Sequence, residues 1–92
     1  MLTPSKLLAQ DAPLATEEIF LDVFINGQRK DTVLLLRNEG RLFAGAKDLQ
    51  LWRLSLPDIN PLTFYGDDFY ALDALRGLTF KLDESTQSLA MQ

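Results

Sequence analysis

The chain has 92 residues, contains neither cysteine nor histidine, and is 47% hydrophobic. A chain of this length forms one domain, and its apolar content is sufficient for a core. The missing residue types exclude disulfides, thiolate catalysis and cysteine-ligated metals, and they remove the most common general base. A formal net charge of -4 disfavours nucleic acids and anionic membranes as partners, because phosphate binding requires clustered Lys and Arg.

Residues 1–17 show neither the twofold repeat of a strand nor the 3.6-residue repeat of a helix. We expect a flexible tail, since chain termini that are not tied down are commonly disordered. Leu7, Leu8 and Leu14 are unusual for a simple linker. Two interpretations are open: these leucines are incidental or pack back on the domain, or they form an adhesive segment that orders on a partner.

The folded domain is expected over residues 18–92, beginning with a three-stranded meander. Alternation predicts a first strand with two sets of side chains on opposite faces: Ile19, Leu21, Val23 and Ile25 on one face, and Phe20, Asp22 and Phe24 on the other. Asn26-Gly27 predicts a type I′ turn, because both central positions of that turn need a positive φ. A return strand over 28–37, a turn at 38–40 and a short third strand over 41–44 follow.

The next segment predicts a short helix and then a loop. Ala46, Leu49 and Trp52 recur at helical spacing, which indicates a helix over 46–53 that packs on the sheet through Leu49 and Trp52. Residues 56–68 contain Pro57, Pro61 and Gly66 and are expected to form a loop, since proline lacks the amide that a strand ladder needs.

The C-terminal part predicts a brief extended piece over 69–72, a tight turn over 73–77, and a closing hairpin over 78–92 with Leu89 and Met91 on one face. Taken together, the elements predict an α+β fold class. We expect a small, mostly antiparallel β domain, made of a meander and a hairpin, with one short helix and a flexible N-terminal tail.

Candidate catalytic and metal-binding groups are few. Asp67, Asp68 and Asp73 form the one carboxylate cluster worth weighing, but they lack the alternating ligands of a calcium loop. Solvated turn residues are the favoured interpretation. Hydroxyl side chains have no histidine to activate them. We therefore expect no enzymatic activity, no cofactor and no metal.

The two apolar faces of the first strand raise the question of what covers them. Phe20 and Phe24 lie opposite the main apolar set. One interpretation is that the helix covers one face and the 56–68 loop the other. The alternative is an exposed aromatic patch, extended by Phe64 and Tyr65, that docks a partner protein.

Two long segments resemble a known family. These are LDVFINGQRKDTVLLLRNEGRLFAGAKDLQLWRL and, further on, FYALDALRGLTFKLDESTQSLAMQ. Over about residues 18–92, these segments resemble the N-terminal periplasmic domain of fimbrial outer-membrane ushers. The resemblance lies in the order of their elements: a strand ending in Asn-Gly, a return strand, a strand-to-helix step, a turn and a closing hairpin. The likeness is to the cysteine-free ushers of the archaic, spore-coat-U-like chaperone-usher pathway.

The resemblance implies a role in pilus biogenesis. Such a domain lies on the periplasmic side of the bacterial outer membrane and belongs to a protein whose barrel spans that membrane, while the domain itself does not insert. It recruits complexes of a periplasmic pilus chaperone with pilus subunits and hands them to the outer-membrane pore. Residues 1–17 match the position of a tail that, in classical ushers, orders on the chaperone.

The family does not supply individual contact residues, since the classical domain is longer and contains a cysteine pair. The expected partner-binding set is therefore chosen by region: Leu7, Leu8, Leu14, Phe20, Phe24, Phe64 and Tyr65. The alternative function is a non-catalytic structural or spacer domain of a secreted or envelope protein.

Overall fold

The structure is a computed structural model and describes residues 16–92. Its elements, in chain order, are β1 (Glu17–Ile25), β2 (Gln28–Asn38), β3 (Arg41–Gly45), α1 (Ala46–Leu51), β4 (Leu62–Phe64), β5 (Asp67–Ala71), a 3₁₀ turn (Leu72–Ala74), β6 (Phe80–Asp83) and β7 (Ser88–Met91). The described residues form a small β-rich domain with one short α-helix. The expectations for residues 1–15 lie outside the described residues.

All seven strands form one sheet in the order β4-β5-β3-β2-β1-β7-β6. Every neighbouring pair is antiparallel except β1 and β7, which are parallel. The sheet is therefore mixed, and the predicted, mostly antiparallel arrangement is matched only in part because of the β1–β7 pair. The meander leaves the second edge of β1 unpaired, and β7 fills it after the intervening chain has crossed the sheet.

Three tight turns of the same kind connect paired strands. The first and second residues of each turn have positive φ, with values of 52° and 80° at Asn26-Gly27, 52° and 76° at Glu39-Gly40, and 51° and 83° at Tyr65-Gly66. This is the signature of type I′ turns, whose twist matches that of the flanking strands. The first two turns confirm the predicted meander.

The third turn overturns the prediction that residues 56–68 form a loop. Residues 62–64 are strand β4, and β5 begins at Asp67 rather than at Phe69. Pro57 and Pro61 both precede β4, so neither removes an amide from its ladder. The turn was missed because Tyr65 is a residue type that seldom takes a positive φ.

Leu36, Phe69 and Ala71 are buried on one face of the sheet, and most of the core lies on the other face, here named the core face. Leu21, Val23, Leu35, Ala44, Leu89 and Met91 are buried on the core face. Leu49 of α1 and Leu72 and Leu75 of the 3₁₀ region pack against them. Leu49 has no exposed surface and Trp52 packs beside the core, which confirms the predicted docking of the helix.

Helix α1 ends in a Schellman motif. The Leu54 amide donates to the Leu49 carbonyl at 2.9 Å, and the Arg53 amide donates to the Gln50 carbonyl at 3.0 Å. Arg53 takes the left-handed position of the motif with φ 61°. Glycine is the usual residue there, because a side chain costs roughly 1 kcal/mol in that conformation.

Arg37 connects two distant parts of the chain at one end of the core face. Its side chain contacts the Glu17 carboxylate at 3.1 Å and the Glu84 carboxylate at 3.4 Å. These contacts raise the pKa of the Arg37 guanidinium, chiefly through the hydrogen bond to Glu17. The start of β1 is thereby linked to the turn between β6 and β7.

Candidate functional site

An apolar row crosses the face of the sheet opposite the core, here named the outer face. Register places Phe20 of β1 beside Leu34 of β2, and it places Phe69 of β5 between Gly45 of β3 and Leu62 of β4. Because adjacent strands lie about 4.8 Å apart, the row is about 19 Å long. We call these five positions the outer row: Phe20, Leu34, Gly45, Phe69 and Leu62.

The predicted aromatic residues are exposed to different degrees. Phe20 is 63% exposed and Tyr65 is 82% exposed, whereas Phe24 and Phe64 are half-buried. Two large apolar rings at the ends of a sheet face are therefore available for contact. Neither α1 nor the 56–68 segment covers Phe20, so the interpretation that these two segments cover both faces fails at this residue.

Phe64 belongs to a small aromatic cluster at the β4 end of the outer face. Its ring lies edge-on to Tyr65 with the ring centroids 4.6 Å apart, and edge-on to Phe69 with the centroids 6.3 Å apart. Phe20 lies at the other end of the outer row, and Phe24 lies further along β1, paired with Ala90 of β7. The structure thus places the predicted aromatic residues on one side of the sheet without gathering them into a single cluster.

A notch interrupts the outer row at Gly45. Without a side chain at this position, a groove of about 400 Å³ opens between Leu34 and Phe69. The backbone does not require glycine, since φ is -66° and ψ is 143°. A Cβ atom at Gly45 would meet Asp48 Oδ2 at 3.5 Å and the Phe69 ring at 3.7 Å, which are ordinary contacts. Glycine at this position is therefore not a requirement of the backbone, and the groove beside it is open to a side chain from another molecule.

Sequence reasoning missed the notch. The sequence predicts a third strand over 41–44, whereas β3 extends to Gly45 and α1 begins at Ala46. The position of Gly45 in the groove depends on Leu34 and Phe69, which are far from it in sequence. A glycine at the last position of a strand can signal close approach by another backbone or a ligand.

The charged groups around the notch are mainly acidic. Asp48 and Asp67 line it together with Lys47. Burial raises the pKa of the Asp48 carboxyl, and the negative charge of Asp31 raises it further. The notch would therefore favour an apolar side chain that is accompanied by a basic one.

The predicted carboxylate cluster does not assemble into a site. Asp67 and Asp68 are adjacent in β5 and so point to opposite faces, and Asp68 accepts a hydrogen bond from the Thr63 hydroxyl at 3.3 Å. Asp73 binds Arg41 instead. Within residues 16–92 there is no group of three or more side chains arranged to hold a metal ion.

Arg41 lies on the outer face beside Phe43, at the start of β3. Its guanidinium binds Asp73 through two hydrogen bonds of 2.6 and 3.0 Å, and it lies 5.6 Å from the centre of the Phe43 ring. The hydrogen bond to Arg41 is the main reason that the pKa of Asp73 is lowered. Arg41 is thus held in place at the edge of the apolar surface.

Thr16, the first described residue, is hydrogen-bonded to the sheet on the outer face. The Asn38 amide group donates to the Thr16 hydroxyl at 3.4 Å, just before β1 begins at Glu17. Asn38 shares its face with Leu34 and Leu36 by strand alternation. The predicted contact residues Leu7, Leu8 and Leu14 lie outside the described residues.

The fold and the outer face define a small β-rich domain with an apolar surface suited to docking. Comparison of the chain with protein-family models, with curated proteins and with solved structures returned no match. Over residues 16–92, the helical structure is too short to cross a membrane.

Proposed function

We propose that this domain recruits complexes of a periplasmic pilus chaperone with pilus subunits and passes them to the pore of an outer-membrane usher. The ordered likeness of residues 18–92 to usher N-terminal domains supports this proposal. The observation that carries it is the outer row, where Phe20 is 63% exposed on a regular strand. On this proposal the domain works at the periplasmic side of the outer membrane and has no catalytic role.

The size of the apolar surface suits a transient contact. Exposed apolar surface of a few hundred Å² on a small domain commonly marks a protein interaction site. Phe20 and Tyr65 can each bury roughly 150–250 Å² against a partner. Their combined area of roughly 300–500 Å² is below the roughly 800 Å² per partner of a stable interface, which is appropriate for a complex that must later be released.

The notch at Gly45 gives the surface shape as well as hydrophobicity. Aromatic and aliphatic anchors contribute most when they enter a desolvated pocket at the centre of an interface. Gly45 lies at the middle of the outer row, between Leu34 and Phe69. We therefore place the main anchor of the partner at Gly45, with Phe20 and Tyr65 at the two sides.

The segment that contains Leu7, Leu8 and Leu14 would extend the same surface. It joins the domain at Thr16, beside Asn38 on the outer face. Ordering this segment on the partner costs conformational free energy, which lowers the net affinity. Modest affinity is compatible with a hand-off from one site to the next.

Binding of the full chain to the cognate chaperone–subunit complex tests the proposal, with isothermal titration calorimetry as the readout. Phe20→Ser should weaken binding by about thirtyfold or more, because a truncated aromatic anchor typically costs about 2 kcal/mol or more. Leu51→Ser is the matched control, since Leu51 is 77% exposed on α1 and away from the outer row. Its affinity should stay within about twofold of the wild type.

Two other outcomes would contradict the proposal, one by excluding the contact surface and one by excluding the recruitment function. If wild type binds and Phe20→Ser, Tyr65→Ser and Leu51→Ser all bind equally well, the outer row is not the contact surface. If the wild-type chain does not bind the complex, the recruitment function is wrong. A structural or spacer domain would give that second result.

A further inference from the structure

A second depression lies in the layer that covers the core face. Its walls are the segment that follows α1, residues 53–59, and the turn that follows the 3₁₀ region, residues 74–78. It has a volume of about 840 Å³ and is here named the arginine cleft. Leu54, Leu56 and Leu78 line it and also pack against the core, so its floor is apolar and firmly placed.

Two arginines border the cleft, Arg53 on one wall and Arg76 on the other. Neither forms an ion pair with any residue in 16–92, whereas Arg29, Arg37 and Arg41 each bind a carboxylate within 3.1 Å. Among the described residues, Asp58 is the one acidic side chain that lines the cleft. The cleft therefore presents two available guanidinium groups on a chain whose net charge is -4.

The backbone at Arg53 supports a role for its side chain. Arg53 is held at φ 61° in the position of the Schellman motif where glycine is favoured. Non-glycine residues held in the left-handed region are found frequently at ligand-binding and active sites. Here the strained residue carries the charged group that borders the cleft.

We propose that the arginine cleft binds an extended acidic segment of a partner protein, with carboxylates on Arg53 and Arg76 and an apolar side chain on the leucine floor. Guanidinium groups bind carboxylates through paired hydrogen bonds, which gives direction as well as attraction. Nucleic acid is disfavoured, since two arginines cannot offset its repulsion by an acidic domain. The cleft and the outer row are on opposite sides of the sheet, so occupancy of the cleft does not depend on the recruitment function.

A synthetic peptide provides the probe. The full-length, isotope-labelled chain is titrated with acetyl-Glu-Leu-Asp-Leu-Glu-amide and followed by amide NMR shifts. The shifts should cluster in residues 53–59 and 74–78, and the affinity should fall as salt is added. A peptide with Lys at the three acidic positions should produce no such shifts. Shifts elsewhere on the domain, or equal shifts with the Lys peptide, would overturn the proposal.

Variants separate binding from folding. Arg53→Gly removes a guanidinium and relieves the left-handed strain, so it should raise the urea midpoint while weakening peptide binding by about fivefold. Arg76→Gln should weaken binding by a similar factor. Lys81→Gln is the matched control, because it removes one exposed positive charge from β6, away from the cleft. If Lys81→Gln weakens binding as much as the arginine variants, the attraction is unspecific and no cleft site exists.

Discussion

Val23 and Leu89 lie opposite each other across the parallel pair of β1 and β7, and neither has any exposed surface. This pairing brings the two ends of the described chain together. The amide of Asp22 donates to the Gln87 carbonyl at 2.9 Å, and that of Asn26 donates to the Met91 carbonyl at 2.8 Å. The closing hairpin therefore completes the core and is not an appendage of the meander.

Leu89→Ala should destabilise the domain by about 2–4 kcal/mol, because it leaves a cavity next to Val23. That loss is a large fraction of the total, since domains have roughly 0.05–0.15 kcal/mol of stability per residue. Urea unfolding followed by Trp52 fluorescence measures it. Leu51→Ala, at a position that is 77% exposed, should change the stability by less than about 0.5 kcal/mol. Equal effects of the two substitutions would contradict the placement of β7 in the core.

Gly66→Ala tests the β4–β5 hairpin. Gly66 has φ 83° and open space around it, so the cost of a side chain is conformational and amounts to about 1 kcal/mol. Gly45→Ala is the matched control, because Gly45 has a φ of -66° that any residue can adopt. Thermal unfolding compares the two. An unchanged melting temperature for Gly66→Ala would mean that the type I′ turn at Tyr65-Gly66 is wrong.

Gly45→Leu should fill the notch in the outer row. The isolated domain should keep its stability to within about 1 kcal/mol, since the backbone accepts a side chain, its Cβ atom makes ordinary contacts with Asp48 and Phe69, and the adjoining groove can take the remaining atoms. Binding of the chaperone–subunit complex should nevertheless be lost, and Gly45→Ala should be intermediate. Calorimetry on the two variants, with the urea midpoint as a check of folding, measures both quantities. Full binding by Gly45→Leu would remove the notch from the proposed surface.

The Arg41–Asp73 pair makes a pH-dependent contribution to the free energy of unfolding. The pKa of Asp73 is lowered in the folded state, so its ionised form stabilises the fold. That contribution is present above the ordinary aspartate pKa and is lost as the pH falls through the lower, folded value. Asp73→Asn should cost about 0.5 kcal/mol at neutral pH, as expected for a surface pair, and nothing in strong acid. Urea midpoints at both pH values test this, and a difference that persists in acid would contradict it.

The pH dependence of stability that Asp48 contributes should have the opposite sign to that of Asp73. Its pKa is raised by burial and by Asp31, so ionisation of Asp48 opposes folding. The stability that its neutral form contributes is present below the ordinary aspartate pKa and is lost as the pH rises through the higher, folded value. Asp48→Asn should therefore be more stable than wild type at neutral pH, with a difference that closes in acid. The same urea series measures it, with Asp73→Asn as the comparison.

Local patterns were sufficient to predict much of the fold. Asn26-Gly27 specified the first hairpin because few residue pairs accept positive φ at both turn positions. Alternation along β1 assigned Phe20 and Phe24 to the face opposite Leu21 and Val23, since the side-chain period of a strand is two residues. In both cases the evidence lies within a few residues of the feature.

The rest depends on contacts between residues far apart in the chain. The parallel pairing of β1 with β7 joins the two ends of the described chain, and no local sequence pattern specifies it. The sequence pattern did not predict strand β4, because Tyr65 takes its φ of 51° from the hairpin and not from the preference of its residue type. For the candidate surface, the sequence by itself determined that Phe20 and Phe24 share one side of β1, and the structure decided that Phe20 is exposed there and Phe24 is half-buried. Only the tertiary structure decided that Gly45 falls between Leu34 and Phe69, because the register of β3 against its neighbours is set by packing of the whole sheet.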